Sequence, residues 1–478
     1  MCGIFGINNH PEAARLTYLG LYSLQHRGQE AAGIVAVDEA GVARVHKGNG
    51  LVSDIFAEDT IRSLEGTTAI GHTRYSTAGG SAEVNTQPFL VRYREGTLAI
   101  AHNGNLTNAA ALRRELVNTG SLLQSTADTE ALIHLIARSK QDTPEAQIRD
   151  AVEQAEGAFS LLITVGPVMY AMVDPRGWRP LMLGRVDNAI VAASESCALD
   201  IVGARQVCEL QPGAFVRIEG GRVTDLAPLR PRGPARRCIF ELVYFSRPDS
   251  VVFGESVHQF RLNLGRQLAR EHPAPGADCV FSVPDSSNAA ALGYAIESGL
   301  PLDHGLIRNH YVGRTFIHPV QAGRDTKVKI KYNTVREIIA GKSVVIVDDS
   351  IVRGTTSRGL VRMIRQAGAR QVHFRVASPP TTGPCYYGID TPTREELIAA
   401  THSVEEIRTY LDVDTLGYLS LNGMISSASA ARDGYCHACW SGDYPTAIPA
   451  EATTSGFVAD DPPPNAPLVE PARKSIDD

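Results

Sequence analysis

The segment VVIVDDSIVRGTTS (344–357) constrains the fold of this chain more than any other. An apolar, mostly β-branched run ends in two carboxylates, Asp348 and Asp349. A short turn then supplies Gly354, Thr355, Thr356 and Ser357 and enters the stretch RGLVRMIRQAG. A buried strand that leads through a Gly- and hydroxyl-rich turn into a helix is one unit of a parallel sheet with crossover helices. Two neighbouring runs repeat the rhythm: CVFSV (279–283) before PDSSNAAALGYAIESG, and QVHFRV (371–376). Open sheets of this kind hold ligands at the carboxyl ends of their strands. Backbone N–H groups and hydroxyls at a helix N-terminus form an anion site suited to a phosphate monoester. Two carboxylates just upstream suit ribose hydroxyls or Mg²⁺. The competing reading, a tight turn before a capped helix, leaves the double Asp without a purpose.

The first half reads differently. Short β-branched runs bounded by Gly, Asn and Asp begin at Gly33, Thr68, Leu98, Ser160 and Ala189, which is strand chemistry. Helical spacing is confined to about Glu12–His26 and a stretch from Asp128 with Leu132, Ile133, Leu135 and Ile136. A layered α+β domain fits this pattern. The Pro- and Arg-rich LAPLRPRGPARR (226–237) marks a boundary, and the tail after about Pro445 is poor in large apolar residues. The expected division is 1–230, 231–445 and a disordered 446–478, with no internal repeat. A length of 478 residues agrees with two or three domains. The net charge of -6 disfavours non-specific nucleic-acid binding. With no targeting segment and no apolar run of membrane-spanning length, a cytoplasmic location is expected and its eight cysteines are not expected to form disulfides.

Cys2 follows the initiator Met1. Removal of Met1 leaves a thiol and an α-amine on one residue. With a pKa of about 7.7–8.0 the amine can act as a general base for the thiol nucleophile. Alone, an N-terminal Cys means little. GHTRYSTAGG (71–80) adds Arg74, whose planar guanidinium suits an α-carboxylate, with the hydroxyls of Ser76 and Thr77. HNGN (102–105) adds the Asn103 amide and the Gly104 N–H, the two donor types that stabilise an oxyanion. STADTE (125–130) places Asp128 at a helix start, where it can meet a substrate α-ammonium. Each piece has a plain alternative: a turn for HNGN, an N-cap for Asp128, a surface ion pair for Arg74. Together with Cys2 these alternatives lose weight.

MCGIFGI, LQHRGQEAAGI, GHTRYST, HNGNL and STADTE resemble the glutaminase domain of class II amidotransferases, an N-terminal-nucleophile fold with a four-layer sandwich. The resemblance implies Cys2 as nucleophile, Asn103 and Gly104 as oxyanion hole, and Arg27 as support for the nucleophile. It implies Arg74, Thr77 and Asp128 as glutamine-binding residues. The 344–357 segment resembles the phosphoribosyl pyrophosphate loop of type I phosphoribosyltransferases. Joined, the two halves are similar to glutamine phosphoribosylpyrophosphate amidotransferases over nearly the whole chain to about residue 445. CIFELVYFSRPDS (238–250), SVPDSS (282–287), YVGRTF (311–316), SPPTTGPCYYGID (378–390) and SVEEIR (403–408) match as well.

What that family implies is specific. Ser286, Asp348 and Asp349 lie at the Mg²⁺ site. The stretch Ser350, Arg353, Gly354, Thr355, Thr356 and Ser357 holds the 5-phosphate. A loop from Tyr311 to Lys331 closes over the substrate, and its Arg314, Arg324, Lys327, Lys329 and Lys331 suit a pyrophosphate. Glutamine, phosphoribosyl pyrophosphate and water give 5-phosphoribosylamine, pyrophosphate and glutamate, the first committed step of de novo purine biosynthesis. A water-excluding passage for ammonia between the sites, a homotetramer and feedback inhibition by purine nucleotides are expected with it.

Cys436 and Cys439 form a C-x-x-C pair, ambiguous between metal and redox chemistry. Cys238 and Cys385 stand where iron–sulfur members of the family place their other ligands. Four thiolates suit Zn²⁺ or a [4Fe–4S] cluster; the resemblance favours the cluster, although this chain has no propeptide before its nucleophile. Cys197, Cys208 and Cys279 read as buried core thiols in strands. Two other functions compete. A sugar-phosphate aminating enzyme has no need of the 344–357 segment. A non-catalytic phosphoribosyl pyrophosphate sensor acting on DNA has no use for Cys2, Arg74, Asn103 and Asp128.

Overall fold

The computed structural model describes residues 1–75, 83–310, 330–428 and 434–448. The N-terminal half builds two antiparallel sheets. One holds seven strands in the order Arg205–Glu209, Met182–Val186, Ala189–Ala193, Gly3–Asn8, Thr68–Arg74, Ala31–Val37, Ala43–Asn49. The other holds six, in the order Arg222–Asp225, Phe215–Glu219, Val168–Val173, Gly157–Val165, Gly96–Leu106, Phe89–Tyr93. The sheets face each other through a core that includes Ile4, Val35, Ile70, Ala99, Leu162 and Met169. Side chains alternate along a strand, so where Ile4 faces this core, Phe5 faces the opposite layer with Leu21 of helix Ala13–Ser23. Helices Asp128–Arg138 and Pro144–Val152 cover the other outer face with Leu132, Ile136 and Ile148. Helix, sheet, sheet and helix make four layers.

One local feature departs from the sequence reading, and one of its alternatives is set aside. The helix expected over Glu12–His26 ends at Ser23, and a separate 3-10 turn, Gln25–Arg27, carries Arg27 into the interior. HNGN is no turn: it lies inside the eleven-residue strand Gly96–Leu106, with Asn103 opposite Ser160 and Gly104 opposite Phe159. Pairing with the strand Gly157–Val165 overrides the turn preference of Asn and Gly.

After residue 237 the chain builds a parallel sheet in the order Cys279–Ser282, Ser343–Asp348, Gln371–Val376, Thr415–Tyr418. Strand Ser343–Asp348 is buried throughout. Its Val345 and Val347 join the core shared with helices Val257–Glu271 and Asn288–Ser298, while Val344 and Ile346 meet Leu360 and Ile364 of helix Thr355–Gln366. That explains its unbroken apolar run. The first of these cores also takes in Phe5 and Leu21, so the two halves pack as one body around Ile239, Leu242 and Phe260. Two cysteine expectations fail. Cys208 is exposed, because Arg205–Glu209 is the edge strand of its sheet. Cys197 is buried, but in the helix Ser196–Asp200 instead of a strand.

Candidate functional site

Cys2 is 7% exposed and leads into the strand Gly3–Asn8, between the strands ending at Arg74 and Ala193. With Met1 present its backbone nitrogen is an amide, standing where the α-amine lies once Met1 is gone. That nitrogen donates to Asn103 Oδ1 at 3.2 Å, and the thiol lies 3.7 Å from the Tyr75 carbonyl oxygen. Asn103 is fully buried, and its Nδ2 has no partner among the described residues. A buried donor left unpaired costs about 1–3 kcal/mol, so a fold keeps one where a ligand will use it. Gly104 beside it admits no side chain: a Cβ there would lie 2.0 Å from the Ala158 carbonyl oxygen.

Arg27 Nε donates to the Cys2 carbonyl at 2.9 Å. Its two Nη atoms meet Glu195 and Glu241, and all three side chains are completely buried. Burial works against these charges, but mutual attraction outweighs it: Arg27 is held above its usual range and both carboxylates below theirs. Arg74 is buried at the end of its strand, where desolvation lowers its pKa and Cys2 and Asp128 act on it in the opposite sense. Asp128 is the first residue of its helix; Ala127 is the N-cap. Its carboxylate accepts the Leu106 N–H at 2.9 Å and the Thr129 hydroxyl at 3.2 Å, and lies 3.5 Å from His102 Nδ1. Burial opposes its charge, yet His102 and these donors hold it below the usual carboxylate range. Ser76 and Thr77 lie outside the described residues.

At the second centre Asp348 ends its strand and Asp349 follows, both at most 8% exposed. The Ser287 hydroxyl donates to Asp348 Oδ1 at 3.2 Å and Asp349 Oδ2 at 3.3 Å, and Ser350 to Asp349 Oδ1 at 2.7 Å. Burial, then the neighbouring Asp349, pushes the Asp348 carboxyl well above its ordinary range. The adjacent carboxylates, with the Ser287 hydroxyl between them, fit Mg²⁺ held by one or two carboxylates plus substrate oxygens. Gly354, at φ 72°, turns the chain into the helix Thr355–Gln366, whose first turn has no acidic residue. Arg353 is paired with Glu396 at 3.0 Å. Arg314, Arg324, Lys327 and Lys329 lie outside the described residues; Lys331 does not.

A cavity of about 540 Å³ opens at the second centre and reaches Tyr75, whose carbonyl oxygen lies 3.7 Å from the Cys2 thiol. Tyr75 and His26 line its glutaminase side, and Ser286, Lys331, Asp348, Asp349, Ser350 and Arg353–Ser357 its far side. Phe240, Tyr244, Phe245 and Arg261 form the wall between. Gly388 packs on Gly104, and the Tyr386 carbonyl accepts Asn105 Nδ2 at 2.9 Å, so the 385–390 segment also bridges the halves.

Cys238, Cys385, Cys436 and Cys439 line the same cavity. Strand Arg237–Cys238 pairs in parallel with Tyr435–Cys436, setting Cys238 beside Cys436. The Tyr387 N–H points at Cys385 Sγ at 3.3 Å. Burial pushes the thiols of Cys238 and Cys436 up to about 11 and about 12, and holds Cys439 well above its ordinary range. Among the described residues no group of three or more His, Cys, Asp or Glu side chains is arranged to hold a metal ion.

Sequence reasoning did not find Ser287, His102, Glu195 or Glu241. Ser287 adjoins the expected Ser286, and only the helix start at Asn288 decides which hydroxyl turns toward the aspartates. The two glutamates come from segments 214 and 168 residues from Arg27, with no local pattern to announce them.

Residues 72–200 match a glutamine amidotransferase domain family. Over its length the chain is 49% identical to an amidophosphoribosyltransferase of Bacillus subtilis, with 94% of each protein covered. It is 47% identical to one from Archaeoglobus fulgidus, covering 94% of this chain and 99% of that one. Among solved structures it superposes on an allosteric regulatory enzyme of purine biosynthesis with TM-score 0.90 and 47% identity, covering 95% of this chain and 98% of that one. A glutamine phosphoribosylpyrophosphate amidotransferase from B. subtilis, complexed with ADP and GMP, superposes with TM-score 0.89 and 47% identity over 95% of this chain and all of that one. No helix among the described residues is long and apolar enough to cross a membrane. With relatives this similar over nearly their full length, the chain belongs to the amidophosphoribosyltransferases, the enzymes of the first step of purine biosynthesis.

Proposed function

We propose that Cys2 hydrolyses glutamine and that the ammonia crosses the shared cavity to phosphoribosyl pyrophosphate on the Asp348–Ser357 loop. The continuous cavity from Tyr75 to Thr356 carries this reading. After removal of Met1 the α-amine takes the thiol proton, and the sulfur attacks the glutamine carboxamide carbon. The unpaired Asn103 Nδ2 and the Gly104 N–H receive the oxyanion. Arg74 and Thr77 hold the α-carboxylate and Asp128 the α-ammonium. The amine returns its proton to the departing ammonia, and water then cleaves the thioester to glutamate. Free ammonia is largely protonated at neutral pH, so a passage walled by Phe240, Tyr244 and Phe245 keeps it nucleophilic. Displacement at the anomeric carbon expels pyrophosphate. The N-terminal turn at Gly354, Thr355, Thr356 and Ser357 holds the 5-phosphate, with Arg353 and Arg314 as further phosphoribosyl pyrophosphate ligands. Ser286, Asp348 and Asp349 would hold Mg²⁺, which would neutralise the charge of the leaving group.

The four cysteines suit a [4Fe–4S] cluster better than a single ion. They line one cavity, Cys238 stands beside Cys436, and burial holds the thiols of Cys238, Cys436 and Cys439 above their ordinary range, so a cationic group would be needed to ionise them. Its role is structural. Feedback by purine nucleotides, assembly as a homotetramer, a cytoplasmic location and the 1–230/231–445 division with a disordered tail complete the proposal. A solved relative complexed with ADP and GMP supports the first of these. The test is Cys2→Ala: glutamine-dependent synthesis is lost and ammonia-dependent synthesis is retained. Loss of both in a folded protein means that the division of labour is wrong.

A further inference from the structure

We infer that Glu241, a residue of the acceptor half, is a positioning residue for the Cys2 nucleophile. The inference rests on Cys2 being that nucleophile. Arg27 fixes the Cys2 carbonyl through Nε, and its remaining donors are divided between two carboxylates. Glu195, from the same half, takes one bond from Nη1. Glu241 takes two, from Nη1 at 3.0 Å and Nη2 at 2.8 Å, so it sets the plane of the guanidinium. The Phe245 ring lies 5.1 Å from the guanidinium carbon, which fixes that plane from one face. A rotation of the guanidinium about its stem moves Nε, and with it the backbone that carries the thiol.

Glu241 is itself held firmly. Ser246 donates its hydroxyl to Glu241 Oε2 at 3.0 Å, and Arg179 reaches Oε1 at 3.3 Å. It opens a single π-helical turn, Glu241–Phe245, an uncommon conformation that recurs at functional sites. Buried Arg261 pins both ends of that turn by donating to the Leu242 carbonyl at 2.9 Å and the Ser246 carbonyl at 2.7 Å. Tyr244, Phe245 and Ser246 of this segment line the shared cavity. The nucleophile of one half is therefore braced by the cavity wall of the other. Two arginines, Arg27 and Arg179, balance Glu195 and Glu241 in a region where none is more than 1% exposed.

The experiment uses the full chain with Met1 removed and compares Glu241→Gln with the double variant Glu241→Gln/Arg179→Gln. The single change leaves one positive charge uncompensated in the interior and can unfold the protein. The double change restores the balance and decides the matter in that case. Glutamine-dependent kcat, glutamine KM, ammonia-dependent kcat and the rate of Cys2 alkylation by iodoacetamide are measured. A positioning role lowers glutamine-dependent kcat at least tenfold and changes the alkylation rate, with ammonia-dependent kcat and glutamine KM within about twofold of the parent. Equal loss of both activities, or loss of neither, overturns the inference. Failure of the underlying reading shows separately, as a parent enzyme whose glutamine-dependent synthesis survives Cys2→Ala.

Discussion

Replacing Asn103 with Ala separates catalysis from stability, because the stability terms offset one another here and the catalytic loss has nothing to offset it. The substitution removes a buried Nδ2 that has no partner among the described residues, relieving about 1–3 kcal/mol of uncompensated desolvation. It also removes the acceptor of the Cys2 N–H, a bond of 3.2 Å worth about 1 kcal/mol, and leaves a small void worth about 1 kcal/mol more. These terms nearly cancel, so the melting temperature should stay within a few degrees of the parent. The chemistry has no such compensation. Loss of one oxyanion donor costs about 10²–10³ in kcat, or roughly 2.7–4 kcal/mol. Glutaminase turnover should fall by that factor while ammonia-dependent phosphoribosylamine synthesis is unchanged. Steady-state assays with glutamine and with ammonium, beside a thermal melt, give the answer. Glutaminase activity within threefold of the parent would falsify the role given to Nδ2. So would a stability loss large enough to explain the missing activity.

Three further outcomes are expected. Gly104→Ala drives a Cβ to 2.0 Å from the Ala158 carbonyl oxygen, so it should cost at least about 3 kcal/mol in a denaturant titration and abolish glutaminase activity; a neutral result rules out this packing. Glu130 is desolvated, yet His134 and the N–H groups of Gln124 and Ser125 hold it down to about 2 from 4.5, so its stabilisation is present above pH 4.5 and is lost as pH falls toward 2. Glu130→Gln should therefore lower stability by about 3 kcal/mol at pH 7 and by much less near pH 2.5, and a gap that does not depend on pH contradicts the assignment. Anaerobically prepared protein should contain iron and acid-labile sulfide in equal amounts, and Cys439→Ser should lose both; a colourless, iron-free and fully active parent removes the cluster.

The residues that do local work are legible in the amino-acid order alone. The apolar run into Asp348 and Asp349, with Gly354 and the hydroxyls behind it, specifies strand, turn and helix within about 25 residues because each step is a short-range preference. HNGN is legible as chemistry and ambiguous as structure. Its residues favour a turn, and only pairing with Gly157–Val165 makes them a strand whose Asn103 Oδ1 accepts the Cys2 N–H. The expectation for Cys208 fails for the same kind of reason, since strand chemistry is visible locally but the position of a strand at a sheet edge is not. The cysteines at 238, 385, 436 and 439 can be counted in the sequence, and the fold brings them to one cavity.

The sequence by itself determined the two chemistries proposed for this protein: a nucleophile at Cys2 and an anion-binding loop at 348–357. Both depend on residue types at fixed short spacings. Only the tertiary structure decided that a cavity runs from this loop to Tyr75 beside Cys2, and that Glu241 and Glu195 grip Arg27 behind Cys2. Those contacts join residues more than 160 positions apart. Burying a charge is unfavourable until its partner arrives, and packing of the two halves around a shared core is what brings the partner there.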